Sequence, residues 1–374
     1  MEYTREEKYW IWLYSIEGVG VKNFTKLLAY FGSALSVYEN AKSDELKKVV
    51  GQALAGRIID SIDKSYAKCK LEELERKEIT AICRTSEFYP KNLLSIYDPP
   101  IIIFAKGNLD VLKNEDDIAI VGTRKCTEYG KRSAQILAKD LSDAGMTIVS
   151  GMASGIDSFA HRGCLEGNSP TVAVLGCGVD IIYPSSNNLL YERIKQNGVI
   201  ISEYWPGTPP KPTTFPARNR IISGISKGVV VIEAPEKSGA LITVEYALDQ
   251  GRDVFATPGS ISSRASGGTN KLLQEGAKLV ISADDILCEY GLQTPDIKTN
   301  TKKDFEFDIK DFSEQEIMII NSLGTAEYTY DELYGAISPN YKIEFGDFGA
   351  ALTMLELKGI IKQLPGNVYT INIK

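Results

Sequence analysis

A basic segment lies between Glu203 and Glu233 of a chain whose formal net charge is −7. It contains no acidic residue and four cations: Lys211, Arg218, Arg220 and Lys227. Asn219 separates the two arginines at the predicted start of a helix, where unpaired backbone N–H groups already attract anions. A surface helix with solvated charges is the alternative. The concentration of cations against the opposite global charge favours a segment that holds phosphate groups.

Small residues follow two predicted strands further toward the N-terminus. After the apolar run 118–121 come Gly122, Thr123 and Arg124, which would offer close backbone approach, a hydroxyl and a bidentate guanidinium. After the run 146–149 come Ser150, Gly151 and Gly155, whose small size would leave several N–H groups pointing at one anion. A tight strand-to-helix turn explains the glycines equally well when each motif is taken alone.

Two later turns have the same character. Lys237, Ser238 and Gly239 open the helix that follows strand 229–232, and Asn270 begins another helix in a stretch without acids between Asp253 and Glu275. A row of such turns along one edge suits a chain of phosphates, as in a single-stranded nucleic acid. The same loops offer aromatic rings for base stacking: Tyr183, Tyr204, Trp205 and Phe215.

The composition argues against several kinds of catalytic or cofactor site. His161 is the only histidine, which excludes multi-histidine metal sites and leaves a packed or surface histidine as its best interpretation. The six cysteines are scattered without a C-x-x-C pair, so they are expected to be reduced thiols. Ile181 stands where a dinucleotide fingerprint beginning at Gly176 needs its third glycine, so no nicotinamide or flavin is expected. We predict no cofactor, no metal and no enzymatic activity.

The elements that must position these residues form an α/β domain. Short apolar runs rich in β-branched residues alternate with helical stretches, at 118–121, 146–149, 171–175, 199–201, 229–232 and 253–256. This pattern predicts a Rossmann-like, mostly parallel sheet with helices on both faces, over residues 76–290. In such a sheet, ligands bind beyond the carboxyl ends of the strands.

Residues 1–75 are predicted to form a helical domain. Thr4 and Glu7 form a capping box, and Gly18-x-Gly20 separates two helices. That turn resembles the helix-hairpin-helix and SAM-like group, whose amides can touch DNA phosphates. A simple turn between packed helices is at least as good an interpretation.

A polar linker at 291–310 precedes a predicted winged helix at 311–374, made of three helices and a hairpin near residues 365–367. Its third helix carries Glu344, Asp347 and Glu356 against little more than Lys358. Because a major-groove reader needs cations, we expect this module to bind protein rather than a specific DNA sequence.

The chain has no apolar run near the ~18 residues of a membrane span. Its first residues include acids where a signal peptide has basic residues. A cytoplasmic protein is therefore expected.

Five motifs, in this order and spacing, resemble the DNA-processing protein A family (DprA/Smf). They are Gly122-Thr123-Arg124, Ser150-Gly151 with Gly155 and Asp157, residues 215–220, Ser238-Gly239 with residues 240–243, and Pro258-Gly259. The resemblance covers about 95–288, and the flanking helical and winged-helix segments fit the family's layout. Ala240 departs from the serine usual in the fourth motif.

The resemblance implies a homodimer that binds and protects single-stranded DNA and loads the RecA recombinase on it during natural transformation and recombination. It implies phosphate contacts by Arg124, the Ser150 turn, Arg218, Arg220 and the Lys237 turn. The alternative is an enzyme similar to the lysine-decarboxylase-like phosphoribohydrolases, whose Pro-Gly-Gly-x-Gly-Thr-x-x-Glu loop would correspond to the stretch ending at Glu245, although the leading glycines are missing there. A winged-helix transcription regulator is a third interpretation, which the acidic third helix contradicts.

Overall fold

The computed structural model describes residues 2–62, 64–292, 312–323, 328–338, 343, 345–364 and 367–371. The chain divides into two compact units, Met1–Pro295 and Asp296–Lys374. The predicted linker after residue 292, Glu344 and the hairpin tip at 365–366 lie outside the described residues. The finer division of the first unit at residue 75 stays a prediction.

Six helices form the N-terminal part of the first unit: α1 (Arg5–Tyr14), α2 (Val21–Phe31), α3 (Ala34–Glu39), α4 (Asp44–Val50), α5 (Gln52–Asp60) and α6 (Lys64–Arg76). Thr4 and Glu7 form the predicted capping box at the start of α1. Trp12 and Phe24 are buried in a core that extends to Phe104 in the sheet. The helical part therefore shares a core with the sheet-containing part.

The first unit contains one nine-stranded sheet: β1 (Thr80–Cys83), β2 (Ile102–Gly107), β3 (Asp117–Val121), β4 (Thr147–Ser150), β5 (Thr171–Val174), β6 (Val199–Ser202), β7 (Gly228–Val231), β8 (Asp253–Ala256) and β9 (Lys278–Leu279). Its order is β1-β2-β6-β5-β4-β3-β7-β8-β9. The seven neighbouring strands β6-β5-β4-β3-β7-β8-β9 are parallel to one another. At the edge of the sheet, β2 pairs antiparallel with β6, and β1 pairs antiparallel with β2. After β3 the chain builds outward through β4, β5 and β6, and then returns to place β7 on the other side of β3. The order of the strands thus reverses at β3 and β7.

Helices cover both faces of this sheet: α7 (Lys91–Leu94), α8 (Glu128–Asp143), α9 (Ile156–Cys164), α10 (Asn188–Asn197), α11 (Thr214–Ile225), α12 (Gly239–Asp249), α13 (Gly267–Gln274) and α14 (Asp284–Leu287). Side chains of β3 alternate between two apolar cores, because successive residues of a strand point to opposite faces. Ile118 and Ile120 pack with α8 and α9, whereas Ala119 and Val121 pack with α11 and α12. The predicted mostly parallel sheet with helices on both faces is confirmed.

The second unit contains α15 (Glu314–Leu323), β10 (Tyr328–Thr329), α16 (Tyr330–Ile337), α17 (Phe345–Leu357), β11 (Ile361–Leu364) and β12 (Val368–Ile371). Its strands form an antiparallel sheet in the order β10-β12-β11. Leu333, Phe348 and Leu355 are fully buried between the helices. These elements are those expected of a winged helix, and that assignment stays a prediction.

Among the described residues, none of the helices combines the length and the apolar character that a membrane span requires.

Candidate nucleic-acid interface

A cleft of about 850 Å³ opens beyond the carboxyl ends of β3 and β7. Val121 and Val231 are paired in the sheet, so the two strands end at the same level. The starts of α9, α11 and α12 and the segment before α13 complete the walls. The cleft therefore lies where the strand order reverses, which is the usual ligand position in open α/β sheets.

Cations dominate the lining of this cleft. It contains six cationic side chains: Arg124, Lys125, Lys211, Arg218, Lys237 and Arg264. Among the described residues, Asp157 contributes the one carboxylate of this lining. Five of the six cations are exposed, Arg218 being the exception, and none of those five forms an ion pair with another residue in the part of the chain that the structure describes. This unbalanced charge suits a polyanion.

The turn after β3 holds Arg124 at the mouth of the cleft. Thr123 donates its backbone N–H to Glu233 O at 2.7 Å, and Thr123 O accepts from Ile156 N at 3.2 Å. A Cβ on Gly122 would lie 2.6 Å from Ile156 Cγ1, so only glycine allows this close packing. The guanidinium carbon of Arg124 then lies 5.3 Å from the centre of the Phe215 ring.

Gly155 supports the same turn from the other side. It has a φ of +82°, and a Cβ there would lie 2.3 Å from Thr123 O. Gly155 therefore acts through backbone shape, at the N-terminal end of α9. This gives it a supporting role beside the predicted phosphate contacts.

Replacing Gly155 by alanine is expected to lower the free energy of unfolding by about 3 kcal/mol, because unusual backbone angles and overpacking each cost about 1–3 kcal/mol. Gly145→Ala is the matched control, since Gly145 has a φ of +93° but its Cβ position has no atom of another described residue within 4 Å. The control should lose only about 1–2 kcal/mol, the backbone contribution. Urea unfolding followed by circular dichroism measures both losses, and equal losses would contradict the close packing of the turn.

Arg218 forms the floor of the cleft and is only 4% exposed. Its Nη1 donates to Gly151 O at 2.8 Å and also to Val174 O. A Cβ on Gly151 would lie 2.6 Å from Arg218 Nη2 and 2.7 Å from Asp157 Oδ2, so the glycine brings this cation and this carboxylate together. Burial raises the pKa of Asp157 to about 6, although Arg218 opposes the shift. Arg218 thus supplies a fixed positive charge under the cleft.

The expectation for Ser150 needs a correction. Its hydroxyl is fully buried and donates to Ile120 O at 2.6 Å, which ties β4 to β3. Within the predicted anion-binding turn, Ala153 N donates to Asp157 Oδ2 at 3.3 Å. The Ser150 side chain has no access to a ligand, and its role in the described structure is to join two strands.

Arg220, which was predicted to contact phosphate, does not line the cleft. It is 6% exposed and forms ion pairs with Glu203 at 2.6 Å and Asp98 at 2.9 Å. Lys227 likewise pairs with Asp116, at 2.5 Å. The acids missing from the segment are supplied by other parts of the fold, so both cations have local partners.

The turn at the start of α12, which the sequence predicted as a phosphate contact, lines the cleft. Lys237 is exposed there, and Ser238 caps the helix by accepting from Ala240 N at 3.3 Å. No other described residue has an atom within 4 Å of the Gly239 Cβ position, and the Gly239 carbonyl accepts from Asn219 Nδ2 at 3.4 Å. These residues, with Asn219, line one wall together.

Asn270 does not line the cleft. Its Oδ1 accepts from Gly259 N at 3.2 Å and its Nδ2 donates to Gly259 O at 3.0 Å. Asn270 therefore holds the loop before α13 in place, which differs from the predicted phosphate contact.

Two of the four aromatic candidates reach the cleft. The rings of Tyr183 and Phe215 stack at 5.3 Å, and both residues line it. Trp205 instead packs on Phe104 at 4.9 Å. Tyr204 is absent from the lining.

Sequence reasoning did not assign Lys125, Lys211 or Arg264 to the site. All three are exposed and line the cleft. The signal for Lys125 was its place directly after the Gly122 turn, and for the other two it was the absence of acids nearby.

The candidate catalytic residues lie outside the cleft. His161 is fully buried, and its Nδ1 lies 2.7 Å from Thr171 Oγ1, whose hydroxyl donates to Ile148 O. Nδ1–H is therefore the donor in this pair, and burial lowers the pKa of His161 to about 3. Glu245 is exposed on α12 and does not line the cleft.

The sequence is similar to that of a known protein family. The model of the DNA recombination-mediator protein A family matches residues 80–291, which include every residue that lines the cleft. The chain is also 32% identical to Protein Smf from Synechocystis sp., across 97% of this chain and 98% of that protein. The chain belongs to the DNA recombination-mediator protein A family.

Solved structures agree with this family membership. The crystal structure of DNA processing protein A (DprA) from Streptococcus pneumoniae is 37% identical, with a TM-score of 0.65 over 77% of this chain and 99% of that one. DNA processing protein A from Helicobacter pylori is 31% identical, with a TM-score of 0.52 over 57% of this chain and 95% of that one. The latter structure concerns a unique single-stranded DNA binding mode of that protein.

Proposed function

We propose that this chain binds single-stranded DNA in the cleft at the ends of β3 and β7. The observation that carries the proposal is the lining of six cations against one carboxylate, with five of those cations exposed. Phosphates held by such a surface supply affinity without sequence preference. The Tyr183–Phe215 stack adds apolar rings on which bases can stack.

We also propose that binding, and not catalysis, is the activity of this cleft. The charged residues of its described lining are six cations and Asp157, whose carboxylate already faces Arg218. The position of Glu245 outside the lining argues against the phosphoribohydrolase alternative. A binding surface needs no activated nucleophile.

Within the cell, we propose that the protein protects incoming single-stranded DNA and loads the RecA recombinase on it during natural transformation. We infer that it does so as a homodimer. Support comes from the family's description as a recombination mediator and from the Helicobacter pylori relative.

A salt titration with matched single- and double-stranded oligonucleotides tests the proposed function. We expect tighter binding of the single strand, and an affinity that falls steeply with salt because counterions are released from the phosphates. Equal or tighter binding of the duplex would contradict the proposal. Release of base from a nucleoside monophosphate, abolished by Glu245→Gln, would instead establish the enzymatic alternative.

A further inference from the structure

Residues 258–266, here called the rim loop, connect β8 to α13 beside the cleft. The loop is anchored at its base, where the Asn270 side chain bonds both the N–H and the carbonyl of Gly259. Tyr129 Oη donates to Pro258 O at 2.7 Å. Within the loop, Ser263 N donates to Ser260 O at 3.0 Å. These bonds give the loop a defined shape.

The side chain at the tip of the rim loop is apolar and exposed to solvent. Ile261 is 100% exposed. Keeping it in water forgoes the hydrophobic free energy that burial would provide. Because the loop is already ordered, a ligand that packs on Ile261 would cost little additional conformational entropy. This combination favours a contact surface.

The two sides of the rim loop differ in chemistry. On one side, Arg264 and Ala265 line the cationic cleft. On the other side lies a hollow of about 440 Å³, lined by hydroxyls and one carboxylate together with Pro258 and Gly259; these polar groups belong to Thr127, Tyr129, Glu233, Ser260, Ser263 and Ser266. No cation belongs to that lining of described residues.

The hollow is suited to a nucleobase and unsuited to a phosphate. Glu233 Oε1 and Oε2 accept from the Thr127 hydroxyl at 2.6 Å and the Thr127 N–H at 2.9 Å. Glu233 is only 1% exposed, so a ligand in the hollow would meet the hydroxyl groups of the lining. The buried carboxylate disfavours a phosphate nearby, whereas the N–H groups and acceptors on a base edge match hydroxyl groups, which can both donate and accept.

We propose that the rim loop receives one nucleobase of a strand whose phosphates lie in the cleft. Ile261 packs on the face of the base, and the hollow accepts its polar edge. This inference rests on the proposed binding of single-stranded DNA, and it adds a contact to bases beside the contacts to phosphates.

The test compares two probes, a fluorescent oligothymidylate and an abasic strand of the same length. Ile261→Ala should weaken binding of oligothymidylate about five- to tenfold, the effect of removing partly buried methylene groups. Binding of the abasic strand should stay unchanged, as should the salt dependence, because no charge is altered. Ile261→Phe should bind oligothymidylate more tightly than the unchanged protein, a gain that misfolding does not produce.

Ile136→Ala is the matched control, because Ile136 is 60% exposed on α8 and does not line the cleft. It should bind both strands like the unchanged protein. If Ile261→Ala loses nothing relative to this control, or loses equally on the abasic strand, the base contact is overturned while the proposed function stands. If the unchanged protein binds neither probe, the proposed function is overturned and the base contact with it.

Discussion

Replacing Arg124, Lys211 and Lys237 together by alanine is expected to weaken binding of single-stranded DNA about 100-fold near ~0.1 M salt. All three side chains are exposed on the cleft, and none has an ion-pair partner among the described residues. Each lost phosphate contact should lower the slope of log K against log salt by about 0.7, so the triple variant should lose about 2 units of slope. Fluorescence anisotropy titrations between about 50 and 300 mM salt measure both quantities.

The control for this variant removes the same charge from other places. Lys91, Lys195 and Lys227 pair with Glu115, Glu78 and Asp116, and none of the three lysines lines the cleft; their triple replacement by alanine is the control. If the cleft holds the strand, this variant should keep its slope and most of its affinity. Similar losses in both triple variants would mean that DNA responds to the total charge of the protein, and the cleft would lose its assignment.

The position of the cleft was predictable from sequence because strand patterns are local. The apolar run 118–121 is too short for a helix and is followed at once by Gly122, and its neighbours repeat that arrangement. Parallel strands bring their carboxyl ends to one edge, so turns that are distant in sequence meet in space. Arg124 and Lys237 are brought to one cleft in this way, although about a hundred residues separate them.

The roles of individual side chains were less predictable, because partners come from distant segments. The stretch between Glu203 and Glu233 contains no acid, yet Asp98 and Asp116 reach it through the fold. Of its four cations, Lys211 alone is exposed on the cleft without an ion-pair partner in the described part of the chain. The charge pattern of the sequence therefore indicated a segment that lines the cleft, but it overestimated how many of its cations are free to contact a ligand.

Helix geometry explains why Arg218 and Arg220 lie on different faces of α11. Residues two apart on an α-helix point about 200° away from each other, so they do not share a face. Arg218 lines the floor of the cleft, and Arg220 points toward Asp98 and Glu203. The sequence could exclude a shared face, but it could not show which arginine faces the cleft.

Arg220→Ala is expected to destabilise the fold strongly while leaving the salt dependence of DNA binding unchanged. Removing one partner of a buried ion pair costs about 3–5 kcal/mol, because the other charge is left buried without compensation. Glu203 would be that charge, and its backbone carbonyl also accepts from Tyr14 Oη of the N-terminal helices at 3.2 Å. Urea unfolding measures the loss of stability, and anisotropy titrations well below the unfolding temperature measure the slope.

The pH dependence of this loss follows from Glu203. Burial raises the pKa of Glu203, and Arg220 opposes that rise. Without Arg220 the folded state would bind a proton that the unfolded state releases at a lower pH. Stability of the variant should therefore fall as pH rises through the unfolded-state pKa of about 4.3 toward the raised folded-state value. Glu203→Gln added to Arg220→Ala should recover part of the stability and remove this pH dependence.

Arg124→Ala provides the opposite case for comparison. Arg124 is exposed, and it forms no ion pair with the described residues, so its loss should change stability by no more than about 0.5 kcal/mol. It should, however, lower the salt slope by about 0.7. The two arginine variants thus separate a residue that we propose binds the strand from one that stabilises the fold. If Arg220→Ala instead lowered the salt slope of DNA binding and left the stability unchanged, Arg220 would be a DNA contact. Its role as a buried ion-pair partner would then be refuted.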